Sequence, residues 1–492
     1  MKKGIMNMHT IDTASSREWS AFQLAIFADV AEGKGHTVVL ARAGSGKTST
    51  IVSALEHTPH GKTALMVAFN KSIATELERR APGHVEVSTL HAFGFKALGR
   101  AYGRLTVDKN RVAELAKAAY GAEVYTFPIR KALERVVSLM KSTLIPMDPF
   151  RVDELIDSHG IDSAPVEPEA RTEFVTHAIS ILEKCKDVSQ GRIDFDDMVW
   201  LPVVLKLKVQ KFDMVFVDET QDLNAAQVEL ALMASKKTGR IIAVGDDRQA
   251  IYAFRGAAQD SVSRLIKRLD AKVLPLSISY RCAKSIVGVA KRMVPDFDHA
   301  PNAPEGEVAE MDLTMMQRSV RDGDFILSRT NAPLVPLCLS FIREGRRATI
   351  QGRDLGASLA TFVKNAEKAG VDSVPDLVTY TEEWMHKEVE RLLGREPPRD
   401  TTQVEDRAMT IIAITDGCRS IAEVIARIEG LFSDGDDTTR IVLSTTHKAK
   451  GLERDRAFIL SETYRKRPGL EEENLYYVAV TRARKSLFLV HR

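Results

Sequence analysis

Cysteine is scarce in this chain, and neither sign of charge is in excess. The four cysteines, Cys185, Cys282, Cys338 and Cys418, are scattered with no CxxC pair. That argues against a disulfide framework or a zinc site and fits a reducing compartment. Lysine and arginine number 69 against 67 aspartates and glutamates, a net charge of +2. Such a balance excludes a whole-protein basic field, so any nucleic-acid site has to be a local groove. No apolar run approaches the roughly 20 residues of a membrane helix. The opening MKKGIMNMHTIDTASS lacks the apolar stretch of a signal peptide. A cytoplasmic location and no membrane partner are expected. Internal repeats and low-complexity tracts are also missing.

What is present is core. The 492 residues, 44% of them hydrophobic, exceed one ordinary domain. Short β-branched or aliphatic runs recur at His36–Leu40, Ala64–Phe69, Val85–Thr89, Met214–Asp218 and Ile241–Gly245. More occur at Lys272–Ile278, Phe325–Arg329, Ala348–Gly352, Arg440–Thr445, Arg456–Ser461 and Ser486–His491. Continuous apolar strands separated by helical patterns indicate parallel sheets covered on both faces. Their number predicts an α/β protein of two domains. Two stretches read instead as helical insertions. In the first, Phe174, Ala178, Ile181, Leu182 and Cys185 recur at helical spacing. In the second, Ser420 and Glu423 form a capping-box pattern ahead of Ile421–Phe432. The expected division is a first domain over 1–101 and 188–270 with an insertion at 102–187. A second domain covers 271–354 and 440–492, with a small helical insertion at 355–439.

Two motifs carry chemistry. Ala41–Thr48 reads ARAGSGKT after an apolar strand and before a helical pattern. In that context the backbone N–H groups of Ala43, Gly44, Ser45 and Gly46 surround phosphates at a helix N-terminus. Lys47 reaches the β/γ-phosphates and the Thr48 hydroxyl binds Mg2+, with Ser49 next in the chain. Met214–Asp222 reads MVFVDETQD. Asp218 at the strand tip is placed to bind Mg2+, and Glu219 to polarise an attacking water. ATP and Mg2+ are the expected cofactors. The aspartates of Asp194–Met198 (DFDDM) read as helix caps and surface charge rather than metal ligands.

Together with several segments elsewhere in the chain, these motifs resemble the UvrD/Rep/PcrA branch of superfamily 1 helicases, closest to small enzymes related to the F-box DNA helicase and to phage helicases. The resemblance implies two RecA-like P-loop motor domains, each with a mainly helical inserted subdomain. It implies that Gln23 reads adenine and that Ala68–Lys71 (AFNK) contacts a single strand through Phe69, Asn70 and Lys71. It also implies DNA contacts by Thr89 and His91 in TLHAF. Within Val244–Ala257 (VGDDRQAIYAFRGA) it makes Gln249 the γ-phosphate sensor, places Tyr252 and Phe254 on the nucleic-acid side, and has Arg255 help join the two regions. Tyr280 in SYR is to stack on adenine, with Arg281 as an arginine finger. In STTHKAKGLE, His447 and Lys450 face DNA and Glu453 lies near the ribose. Arg482 in VTRA is the second finger.

The activity so implied is ATP-dependent translocation on single-stranded DNA, 3′→5′, with unwinding of tailed duplexes. The alternative is a motor subunit that strips proteins from DNA or activates a separate nuclease while unwinding little. Accessory repair, replication or nuclease proteins are the partners to expect. Ser49 stands where the family often has arginine, and the second insertion is shorter than in UvrD. Because the chain stops ten residues after Arg482, no fused nuclease or partner-binding tail is expected.

Overall fold

The computed structural model describes residues 18–491 apart from 121–126, 160, 162–163, 166, 252–260, 395–397, 399, 435–438 and 465–468. Its first sheet holds β1 (Thr37–Ala41), β2 (Ala64–Ala68), β3 (Val85–Thr89), β4 (Phe212–Val217), β5 (Ser235–Gly245) and β6 (Lys272–Leu276). They lie in the order β3-β2-β4-β5-β1-β6, and every pairing is parallel. β1 reads TVVLA and β2 ALMVA, almost wholly buried, as a strand covered on both faces must be. Parallel strands point their carboxyl ends the same way, so the loops after β1 to β5 gather on one edge, where α/β sheets bind ligands.

The second sheet holds β7 (Glu307–Asp312), β8 (Phe325–Ser328), β9 (Ala348–Gln351), β10 (Phe432–Ser433), β11 (Ile441–Thr445), β12 (Arg454–Leu460) and β13 (Ala483–His491). The order is β7-β13-β12-β8-β11-β9-β10, again parallel throughout.

Several elements depart from the expectations drawn from sequence. β6, expected to open the second domain, pairs along its length with β1 in the first sheet. It is the edge strand beside β1, where Pro275 costs no ladder bond. β5 begins six residues early, because the polar run SKKTGR continues the strand beyond the covering helices. β7 reads EVAEMD and is largely exposed, so no apolar run marks it. Phe432 leaves the helix Ile421–Leu431 to pair with Ile350. Ser420 caps that helix by accepting from the Glu423 N–H at 3.2 Å. Glu423 itself reaches back to the Arg419 N–H, one residue short of a reciprocal box.

Between β3 and β4 the helices Arg111–Tyr120, Phe127–Thr143, Pro149–Ser158 and Pro168–Lys184 enclose their own core. Leu133, Val136, Phe174, Ile181 and Leu182 meet Leu98 and Trp200 there, each fully buried side chain contributing about 1.5–3 kcal/mol. The DFDDM aspartates are not surface charge. Asp194 and Asp197 are buried; Asp194 accepts from the Asp197 N–H at 2.8 Å. Lys141, fully buried, pairs with both carboxylates, and Arg111 pairs with Asp197. Cys185 joins these two carboxylates within 4.8 Å, but the Lys141 ammonium, 2.8 Å from Asp197, already supplies the local cation.

The second set of helices, Arg353–Lys368, Val374–Leu393, Thr402–Thr415 and Ile421–Leu431, lies on its sheet instead of enclosing a separate core. Leu359, Val363, Ile411 and Ile428 pack in one cluster with Ile326, Leu443 and Phe458. Among the described residues no helix is long and apolar enough to cross a membrane.

Candidate functional site

β1 ends at Ala41, and the chain turns through Gly44 (φ 70°) and Gly46 (φ 79°) into the helix Lys47–Glu56. Both glycines occupy the left-handed region that side chains resist. Gly46 is the N-cap and offers no side chain to the first-turn N–H groups, which leaves these donors for an anion. Among the described residues, Ser45 Oγ is buried without a hydrogen-bond partner. Small residues, open helix donors and Lys47 fit a phosphate chain.

Lys47 donates to Glu219 Oε2 at 2.8 Å. Asp218 and Glu219 come directly after β4, and Glu219 holds a left-handed φ of 48°. That conformation costs a non-glycine residue of order 1–3 kcal/mol and is typical of functional turns. Burial pushes the Asp218 carboxyl up to about 7, with Glu219 adding to the rise. Burial works the same way on Glu219, but the Lys47 ammonium overrides it and holds that carboxyl down at about 2. The pair is thus split into a proton-holding and an ionised carboxyl. Thr48, at the start of the helix Lys47–Glu56, and Asp218, directly after β4, carry the oxygens that a divalent cation would take.

Gln249 lies just beyond β5 and is buried; its Nε2 donates to Asp246 Oδ2 at 2.6 Å. Gln23 is buried at the start of the helix Ala21–Glu32. Its amide is fixed, donating to Thr50 Oγ1 at 2.9 Å and accepting from the Ser20 N–H at 3.0 Å. Tyr280, 46% exposed, places its hydroxyl 3.5 Å from Gln23 Oε1. The two residues expected at adenine therefore share one site.

Segments packed with the second sheet's core, which form a second lobe with it, close directly on this edge. The Tyr280 N–H donates to Gly44 O at 2.8 Å, and the Ala43 N–H donates to the buried Tyr477 hydroxyl at 3.0 Å. A methyl on Gly44 would collide with Arg281 Cβ and stand 2.9 Å from Ser279 Oγ. Ile251 is buried against Leu475 and Val478. Arg281 reaches the cleft paired with Glu453. Arg482 is buried, donating to Val478 O at 2.9 Å and Leu452 O at 3.1 Å. Burial, then the nearby Arg281, pulls its guanidinium down to about 10. Glu453, expected near the ribose, pairs with Arg281.

Among the residues expected to contact nucleic acid, Ala68 pairs with Thr89, so Phe69 and His91 leave adjacent strand ends. Phe69 is 41% exposed, Lys71 is exposed, and Asn70 caps the next helix through Ile73 N–H. Thr89 caps its helix through Ala92 N–H. His91, whose pKa burial lowers, stacks on Phe195 at 4.1 Å between ring centroids. Phe195 is 57% exposed, and the acidic residues around it in DFDDM give no sequence sign of a stacking surface. His447 is half-buried in the short helix after β11. Tyr252, Phe254 and Arg255 lie outside the described residues.

Lys450, expected to face DNA, turns inward. Its ammonium donates to Asp222 Oδ1 at 2.6 Å and to Gln249 O at 2.7 Å. Burial lowers its pKa against the pull of Asp222. Asp222, Gln221, Tyr477 and Asp296 are functional neighbours that sequence reasoning does not single out. The first two stand inside DETQD and Tyr477 inside ENLYYVAVTRA (Glu473–Ala483), the segment that carries Arg482; nothing local marks Asp296.

Residues 25–270 match the UvrD/REP helicase N-terminal domain, and residues 384–492 the UvrD-like helicase C-terminal domain. F-box DNA helicase 1 of Gallus gallus is 26% identical over 92% of this chain and 47% of its own length. F-box DNA helicase protein 1 of Schizosaccharomyces pombe is 24% identical over 92% of this chain and 55% of its own. The ATP-dependent DNA helicase Rep of Escherichia coli K12 is 27% identical over 54% of this chain and 42% of its own. The chain spans about half the length of the curated relatives it matches.

Proposed function

Because the chain belongs to the UvrD/REP helicase family, we propose that it is an ATP-dependent DNA helicase whose two parallel sheets are RecA-like motor domains. It moves 3′→5′ on single-stranded DNA. The observation that carries this reading is one cleft lined from both sides. Lys47, Thr48, Asp218, Glu219 and Gln249 come from the first sheet's edge; Tyr280 and Arg281 come from the segment after the short strand Ile278–Ser279, and Tyr477 from the helix Leu470–Val480, both packed with the second sheet's core.

Gln23 and Tyr280 hold adenine, the fixed amide facing its N6/N7 edge. The loop amides and Lys47 hold the phosphates, Lys47 leaving Glu219 for them. Glu219, ionised, then orients the attacking water, and Arg281 exchanges Glu453 for the γ-phosphate; Arg482 joins it after leaving Leu452 O. Thr48 and Asp218 are the residues that would hold Mg2+, which would supply charge neutralisation at the phosphates. Fingers from a second domain tie hydrolysis to closure of the cleft, and closure alternates the grip on a strand stacked on Phe69 and on the His91–Phe195 pair.

Single-stranded DNA should stimulate hydrolysis, and 3′-tailed duplexes should unwind in preference to 5′-tailed ones. Hydrolysis indifferent to DNA overturns the reading. DNA-stimulated hydrolysis that displaces bound protein but opens no duplex supports the motor-subunit role instead.

A further inference from the structure

Arg42 sits inside the phosphate loop, where a small residue would suffice for the cradle, and its side chain runs away from the phosphates. It is 8% exposed. Its guanidinium meets three carboxylates: Asp247 at 2.6 Å, Asp246 at 3.3 Å and Asp296 at 3.0 Å. The first two precede Gln249 on the first sheet. Asp296 lies between Val294 and Phe297, which pack with Phe325, Val442 and Leu487 of the second sheet, so it moves with that lobe. A planar fork of donors suits this three-way contact, which a point charge would not satisfy.

The fully buried Asp246 is the hub. Its Oδ2 accepts from Gln249 Nε2 at 2.6 Å, and its N–H donates to Gln221 Oε1 at 3.0 Å. Gln221 Nε2 in turn donates to Glu219 Oε2 at 2.6 Å. An unbroken path therefore runs from Asp296 through Arg42 and Asp246 to Gln249, with a branch to Glu219. Separation of the lobes would remove Asp296 and leave Arg42 to the first lobe alone.

We propose that Arg42 is a positioning residue that sets Gln249 and Glu219 through Asp246 and makes that setting depend on lobe contact through Asp296. The inference rests on the helicase reading above. Hydrolysis is measured with and without single-stranded DNA for the parent chain, Arg42→Met, Arg42→Lys and Asp296→Asn.

Arg42→Met should lower DNA-stimulated kcat by roughly tenfold or more while the KM for ATP moves less than about threefold, because misplacement by an ångström is felt in the chemical step. Arg42→Lys should recover part of the loss. Asp296 is half exposed, so Asp296→Asn tolerates folding and should cut the stimulation by DNA about threefold or more by loosening closure. Arg42→Met with parent-like kcat, or with kcat and KM changed in step, overturns the proposal. Should Arg42→Met fail to fold, parent-like stimulation in Asp296→Asn overturns it alone. A parent chain that DNA does not stimulate overturns the helicase reading and this inference together.

Discussion

The Lys47 ammonium and the Glu219 carboxylate meet at 2.8 Å, so the lysine of the glycine-rich loop and the acid after β4 neutralise one another across the cradle. Under the proposed function, a phosphate entering the loop would compete with Glu219 for Lys47 and so free the carboxylate to act as base. Lys47→Ala should lower hydrolysis by roughly a thousandfold, the scale of a lost phosphate-stabilising cation. Single-strand binding, read by fluorescence anisotropy, should persist. Hydrolysis within about tenfold of the parent contradicts the clamp role.

Lys450 and Asp222 join the two lobes as a pair 9% and 5% exposed. Removing one partner of such a pair leaves an uncompensated buried charge, at about 3–5 kcal/mol. Lys450→Met should therefore lower the thermal midpoint, and adding Asp222→Asn should recover much of the loss. Additive losses in this double-mutant cycle would mean that the pair is not coupled.

The Asp218 carboxyl, raised to about 7 from an ordinary value of about 4, gives the metal-free protein a pH signature. The fold keeps this proton where the unfolded chain has lost it. Its stabilising effect is complete below the unfolded value and is lost as pH rises through the folded one. The slope is up to about 1.4 kcal/mol per pH unit. Urea titrations of parent and Asp218→Asn should diverge across this window, and parallel profiles would refute the shift.

Asp197 holds Lys141 and Arg111 in the core of the first insertion. Asp197→Ala should cost about 3–5 kcal/mol in urea unfolding. A loss below about 1 kcal/mol would mean that solvent reaches the cluster.

Phe69→Ala and Phe195→Ala should each weaken single-strand affinity by about 1–3 kcal/mol, the worth of one stacked base. An unchanged affinity in both removes this face from the strand's path.

The strands flanking the cradle are legible in the sequence because burial on both faces demands unbroken apolar runs such as TVVLA and ALMVA. β7 is not, since an exposed edge strand answers to no such demand. The phosphate loop and acidic pair can be read because their chemistry is local in sequence. Arg42 and Asp296 are 254 residues apart, and their meeting depends on how two sheets approach. Lys450 shows the same limit: its motif is recognisable, but only packing decides that it turns toward Asp222 instead of outward.

Gly44 has a consequence beyond its φ. Because any β-carbon there would strike Arg281 and Ser279, this glycine is the bare surface on which the second lobe comes to rest. Gly44→Ala would act as a wedge one methyl thick, holding the two lobes ajar and setting Arg281 back from the loop while the first lobe's residues stay in place.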